Sequence, residues 1–178
     1  MKIFSAMAAA AMLILAPAAA RADDDITKHL VSNPNVGSYQ IYGTGQTNKK
    51  VKDASVQGGQ AIEVKATGAG NPWDGAAQVE VNQKITKGDL LVCAIWLKAK
   101  SDSGSVRIPG RLQINEAPYR AIGETSFAPE GEWKMYTLET TADADYEKGK
   151  LMFVVHLNTG KQVVYLGPAF VLNMTRTY

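Results

Sequence analysis

The chain has 178 residues, with nineteen Lys and Arg against seventeen Asp and Glu, two histidines and one cysteine. The small basic excess resides in Lys2 and Arg21, within the first 22 residues, and beyond them bases and acids are equal in number. A neutral domain with scattered bases has no electrostatic footprint for nucleic acid or anionic lipid, and one cysteine excludes both an internal disulfide and a cysteine-built metal site.

Residues 1–22, "MKIFSAMAAAAMLILAPAAARA", carry a lysine at the front, an apolar middle and small residues around Arg21. That is the pattern of a secretory signal peptide with an A-x-A cleavage site. The stretch is mostly alanine and is broken by Pro17, which argues against a membrane-spanning helix of about 18 apolar residues or more. No cysteine follows the apolar run, so no lipidated N-terminus is expected. The expectation is a single exported domain over residues 23–178, periplasmic or extracellular, with no membrane insertion after cleavage. Its roughly 156 residues are enough to bury a core without staples.

Beyond the leader no stretch carries helical periodicity. Ala22 to His29 is a short helix or a first strand, and Lys49-Lys50-Val51-Lys52, the one basic cluster, reads as a solvated loop. "GQAIEVKA" puts Ile62 and Val64 on one face against Glu63 and Lys65. "AAQVEVNQKI" alternates Val79 and Val81 with Gln78, Glu80 and Asn82. "DLLVCAIWLKA" is apolar on both faces, as a central strand should be, and it buries Cys93 in an inert position. "RLQIN" sets Leu112 and Ile114 against Arg111, Gln113 and Asn115; "EWKMYTLETT", "KLMFVVHLN" and "QVVYLGPAFVLNM" complete the series. Short strands cut by Gly, Pro, Asn and Asp predict an all-β fold, an antiparallel two-sheet β-sandwich. Pro168 removes a ladder hydrogen bond, so a bulge or an edge position is expected there.

Catalytic constellations are scarce. His29 and His156 are far apart, and neither HExxH nor G-x-S-x-G occurs. Glu80, Glu116, Glu124 and Glu139 could serve a glycosidase, but nothing pairs them. The prediction is therefore no catalytic residue, no metal site and no cofactor. What recurs instead is polar side chains and aromatics on shared rows. Arg111, Gln113 and Asn115 lie on one strand face, with Tyr119 following after Pro118. His156 and Asn158 share a face of "LMFVVHLN", opposite Leu151, Phe153, Val155 and Leu157. Trp73 stands in a turn, between Asn-Pro and Asp-Gly, where water costs an indole most. Such groups suit a sugar, whose hydroxyls need planar donor–acceptor partners and whose apolar face stacks on a ring. The alternative for Trp73 is an indole tucked under the next strand. Trp133 fits a strand start packed on the core, and Trp96 either the core or a cleft floor.

Several pieces occur in a telling order: "VQGGQAIEVKA", "NPWDGAAQVEV", "ITKGDLLVCAIWLKAKS", "APYRAIG", "EGEWKMYTLETTA" and "KQVVYLGPAFVLNM". This series, over Ser55 to Met174, resembles the carbohydrate-binding modules of families four, nine and twenty-two, which accompany bacterial xylanases and related hydrolases. The resemblance implies a β-jelly roll whose concave sheet binds a polysaccharide or oligosaccharide without catalysis, alone or beside a separate glycoside hydrolase. It places Trp73 on the family's turn tryptophan, Tyr119 on a cleft tyrosine, and His156 with Asn158 on a cleft strand that often carries Tyr and Glu. Many relatives end in an aspartate motif for calcium; Gly167-Pro168 stands there instead, so no calcium is expected at that spot. Two other readings stay open. One is a jelly-roll polysaccharide lyase acting on a uronate, since "GRLQIN" echoes an alginate lyase strand, with Tyr119 and His156 as proton carriers. The other is a periplasmic scaffold that binds no sugar.

Overall fold

The computed structural model describes residues 25–101 and 104–178, and the expected leader, residues 1–22, lies outside the described residues. The strands, in chain order, are β1 (Gln40–Gly43), β2 (Gln46–Lys52), β3 (Gln60–Thr67), β4 (Gly75–Glu80), β5 (Leu90–Lys100), β6 (Ile108–Ile114), β7 (Ala121–Phe127), β8 (Lys134–Thr141), β9 (Leu151–His156) and β10 (Lys161–Asn173). They form two five-stranded antiparallel sheets, β1-β4-β9-β6-β7 and β2-β3-β10-β5-β8. The all-β sandwich expected from the alternating runs is the fold observed. Ile26–His29 is a 3-10 turn, neither a longer helix nor a strand, and Asp25 caps it by accepting from the Thr27 N–H at 3.1 Å.

Alternation decides what each strand gives the core. Leu91, Cys93, Ile95 and Leu97 of β5 and Val164, Leu166 and Val171 of β10 meet Val79 of β4, Leu112 of β6 and Leu151, Phe153 and Val155 of β9, all buried. Each large side chain removed from water in this way contributes about 1.5–3 kcal/mol. Burial pushes the Cys93 thiol well above its ordinary pKa. The thiol is therefore expected to resist an aqueous thiol reagent in the folded protein and to react fully once denaturant opens the core. Modification at comparable rates in both states would contradict this packing.

The edges differ from the sequence reading. Lys49, Lys50 and Lys52 belong to β2, which pairs with β3 along its whole length and is not a loop. Its lysines face water at the margin of the sheet, a placement that discourages pairing with another chain. Lys49 and Lys65 lie 3.3 and 3.7 Å from the Glu63 carboxylate, which also accepts from the Tyr165 hydroxyl at 3.0 Å.

Gly167 and Pro168 form a bulge in β10, where the register with β5 shifts between Leu166 and Ala169. Of the two expected solutions, a bulge in a central strand is the one observed. The Gly167 carbonyl accepts from the Tyr39 hydroxyl at 2.8 Å, so the interrupted ladder leaves that oxygen partnered. A Cβ on Gly167 would come within 2.8 Å of Trp96 Cβ, so only glycine lets that indole lie here.

Trp96 accordingly occupies neither the core nor a cleft floor. It alternates with the core-facing residues of β5, so it lies on the outer face of its sheet, where its Nε1 donates to Gln57 at 3.2 Å. Trp133 is likewise not core. It donates to Asp53 at 2.9 Å, and Lys98 Nζ, held by the same carboxylate at 2.7 Å, lies 4.8 Å from the Trp133 ring and 4.9 Å from that of Tyr165. Hydrogen bonds from Lys98, Ser55 and Trp133 hold the Asp53 carboxyl far below the usual carboxylate range.

Candidate functional site: a hollow on the outer face of one sheet

On the sheet β1-β4-β9-β6-β7, the residues that alternate with the core face outward in rows fixed by the register. Gln40, Gln78, Val154, Arg111 and Glu124 form one row across all five strands. Tyr42, Ala76 and His156 form the next, and Glu80, Met152 and Gln113 a third. The middle of each row is apolar and modest in size or, in His156, flat. Ala76, Met152 and Val154 make a small cluster of their own, buried and separate from the main core. Long side chains stand on the strands to either side. A low apolar floor between taller polar walls leaves a hollow of about 540 Å³, lined by Tyr42, Trp73, Gln78, Arg111, Gln113, Asn115, Pro118, Tyr119 and His156.

Trp73 rises at one end on a 3-10 turn, Pro72–Asp74, and keeps 57% of its surface exposed. The turn, not the indole, holds the position. Asp74 Oδ2 accepts from the Asn71 N–H at 2.8 Å, and the Asp74 N–H donates to the Asn71 carbonyl at 3.1 Å. The backbone packs so closely that a Cβ on Gly43, at the end of β1, would come within 2.0 Å of the Asp74 carbonyl oxygen. The indole meets His156 edge to face, with centroids 6.5 Å apart and planes at 67°.

Tyr119 stands on another wall, 53% exposed, and its backbone is left-handed at φ +55°. A bulky residue in that region signals a constraint imposed by the turn, in which the Tyr119 N–H donates to the Glu116 carbonyl at 2.7 Å. Tyr42 is close enough that Tyr119, after burial, raises the Tyr42 phenol above its ordinary pKa. Two phenols and an indole thus border one space.

The polar lining has unused capacity. Arg111 Nε and Gln113 Oε1 are buried and have no hydrogen-bond partner among the described residues. Arg111 Nε forms an ion pair with the exposed Glu124 carboxylate at 3.6 Å, too long for a hydrogen bond. Asn115 donates to the Gly149 carbonyl at 3.3 Å, and Gln78 to the Gln40 side chain at 2.9 Å, each through its amide nitrogen. Burial first, and the Arg111 charge second, lower the His156 pKa, so its ring is neutral at pH 7. Among the described residues, no group of three or more His, Cys, Asp and Glu could hold a metal ion.

Six residues singled out in the sequence, Trp73, Arg111, Gln113, Asn115, Tyr119 and His156, line this hollow together. Asn158 does not. It is 2% exposed, and its side chain accepts from the Gly68 N–H at 3.0 Å and donates to the Ala69 and Asn71 carbonyls at 2.5 and 3.2 Å. It fastens the Trp73 loop from beneath instead of facing a ligand. Sequence reasoning missed Tyr42 and Gln78 as lining residues. Gln78 was visible as a polar position on a predicted strand, whereas Tyr42 lies on a four-residue edge strand too short to show a pattern. His29, the other histidine, is buried elsewhere, with Nδ1 2.9 Å from the Asn173 carbonyl oxygen and 2.8 Å from that of Arg176.

The family described as "Carbohydrate binding domain", of types four and nine, matches residues 26–160. The chain belongs to that family. Its match takes in nine complete strands and all the residues that line the hollow. Members of such carbohydrate-binding families are in general non-catalytic. No protein of curated function matches the sequence. Solved structures do. A family 4 carbohydrate-binding module is 15% identical over 76% of this chain and 86% of its own, with a TM-score of 0.55. The C-terminal family 22 module of a Clostridium thermocellum xylanase is 12% identical, covering 86% and 98%, with a TM-score of 0.59. A xylan-binding family 22 domain from Paenibacillus barcinonensis is 10% identical, covering 82% and 91%, with a TM-score of 0.55. At these identities the likeness concerns the fold, and it makes this carbohydrate binding domain a β-jelly roll.

Proposed function

We propose that the chain is an exported, non-catalytic module that holds a polysaccharide or oligosaccharide on the concave face of the sheet β1-β4-β9-β6-β7. The observation that carries this reading is an indole more than half exposed, on a tightly built turn, beside a floor of Ala76, Met152 and Val154 and a polar wall in which Arg111 Nε and Gln113 Oε1 are buried without a hydrogen bond. A monomeric soluble protein gains nothing in stability from leaving tryptophan in water, whereas a pyranose ring covers it. Gln78, Gln113 and Asn115 then receive and give hydrogen bonds to hydroxyls, while Tyr42 and Tyr119 close the sides. Asn158 acts through the Trp73 loop and is left out of the contact set.

The work done is adsorption. One stacking contact and a few hydrogen bonds net about 4–8 kcal/mol, which is millimolar to micromolar affinity. Residues 1–22 as a cleaved export signal and residues 23–178 as the mature domain belong to this proposal, as does a periplasmic or extracellular site of action. No helix among the described residues is long and apolar enough to cross a membrane. One structural neighbour joins a family 22 module to the GH10 module of a Clostridium thermocellum xylanase, the two modules together complexed with xylohexaose, so a hydrolase acting on the same glycan fits as the partner.

The test is binding of the mature domain to a panel of soluble plant, algal and bacterial oligosaccharides. At least one is expected to bind in the millimolar-to-micromolar range, with a blue shift of tryptophan emission and no release of reducing ends. A rise in absorbance from an unsaturated uronate would instead establish a lyase, and silence across the panel would favour a scaffold.

A further inference from the structure

The lining of the hollow has a charge pattern with its own consequence. Among the described residues that line it, Arg111 bears the only formal charge, since no Asp or Glu takes part and His156 is neutral at pH 7. Two other arginines, one near this sheet's loops and one at the chain's end, are held. Arg120 donates to Asp143 at 2.7 Å and to the Tyr146 hydroxyl at 3.1 Å, and Arg176 donates to the buried Asp89 carboxylate at 2.8 Å. Arg111 makes no such bond. Its Nε is buried without a partner, and Glu124, 71% exposed, remains beyond hydrogen-bond distance at 3.6 Å.

The position is also specific. In the register, Arg111 lies directly across Val154 from Gln78, with Gln113 two residues further along the same strand. A guanidinium beside an apolar floor and flanked by carboxamides offers a planar fork to a planar anion, in a setting where water competes less. No carboxylate belongs to the lining of the hollow, and the one beside it, the exposed Glu124 group paired with Arg111 at 3.6 Å, is the group that such a guest would displace.

We propose that the hollow selects acidic glycans, with the Arg111 guanidinium as the anchor for a uronate carboxylate. This rests on the sugar-binding reading above and narrows it to a substrate class. The carboxylate seats against Nε and a terminal nitrogen of Arg111, Gln113 takes a neighbouring hydroxyl proton on its unpartnered oxygen, and the ring of that residue or the next lies on Trp73. Glu124 exchanges its exposed ion pair with Arg111 for water and loses no hydrogen bond.

The test uses oligomers of galacturonate, mannuronate and glucuronoxylan, each paired with its carboxyl-reduced form, and calorimetry on the mature domain. The acidic form of at least one pair is expected to bind about tenfold more tightly than its reduced partner, and the gap is expected to narrow as salt rises toward about 1 M. Arg111→Gln is expected to abolish the gap, so that the acidic and the reduced member of the pair bind alike, whatever affinity the variant keeps for both. Equal affinity for both members of every pair would overturn the acidic preference and leave neutral sugar binding standing. A preference that survives Arg111→Gln would overturn Arg111 as the anchor. No binding to any acidic or reduced oligomer, nor to neutral xylan and glucan oligomers run in parallel, would remove the sugar-binding reading itself. The wild-type comparison of paired ligands needs no variant to fold.

Discussion

Trp73→Ala is expected to weaken binding of the preferred glycan at least tenfold, about 1.4 kcal/mol, with the melting temperature within about 2 °C of the parent. The two halves of this expectation have separate structural grounds. The indole keeps 57% of its surface in water and has one ring neighbour, His156, so removing it uncovers little. The turn that carries it is closed by Asn71 and Asp74, by the Asn158 N–H donating to the Pro72 carbonyl at 3.2 Å, and by the Leu157 N–H donating to Gly75 at 2.7 Å. None of those bonds involves the side chain of residue 73. Binding therefore loses its stacking surface while the fold keeps its connections. A fall of several degrees in melting temperature with affinity unchanged would show the opposite, an indole that serves the fold.

Asn158→Ala is expected to do nearly the reverse. The substitution strips a buried amide from one N–H and two carbonyls, those of Gly68, Ala69 and Asn71. Leaving buried backbone groups unsatisfied costs about 1–3 kcal/mol each, so a loss of about 2–4 kcal/mol is expected after partial relaxation. That corresponds to a fall in melting temperature of about 5–15 °C for a domain of this size. Binding is expected to weaken as well, because the turn under Trp73 loosens and must be ordered again when a ligand arrives. Asn158→Asp is the informative companion. It keeps an acceptor for the Gly68 N–H but sets a carboxylate oxygen against two carbonyls, so it is not expected to restore stability. If either variant melted like the parent, the loop would be held by the backbone alone.

Asn158 also shows where the sequence stops being legible. Alternation along "LMFVVHLN" correctly separates Phe153 and Val155 from His156, because those residues lie within β9. The strand ends at His156, and two residues later the chain has turned into the loop system of residues 68–75, so the period of two no longer says which way a side chain faces. The same limit explains the edges. β1 is too short and β2 is polar on both faces, since an edge strand owes the core little, and so β2 reads as a basic loop. Interior strands such as β3 and β5 announced themselves through Ile62, Val64, Leu91, Ile95 and Leu97. Trp96 and Trp133 were misplaced for another reason. Size and apolarity suggest a core, yet each indole satisfies its N–H on a polar partner outside it, Gln57 and Asp53, under the segment before β3. The site was more legible than its edges because its polar groups sit on β6 and β9, the strands whose alternation is clearest. What no alternation could supply was the third dimension, namely that loops around Trp73 and Tyr119 enclose the same space as those rows.

The strand that floors the hollow is also the strand that fills the sandwich: Met152, Val154 and His156 look outward while Leu151, Phe153 and Val155 look in. A slip of β9 by one residue would exchange the two sets, so drift along this segment is penalised twice. Diversification of what such a protein recognises is thereby channelled to the walls, where Tyr42, Gln78, Arg111, Gln113 and the two loop aromatics can be exchanged without disturbing the interior. Libraries that vary those wall positions around a fixed β9 are the natural route to altered taste for sugars.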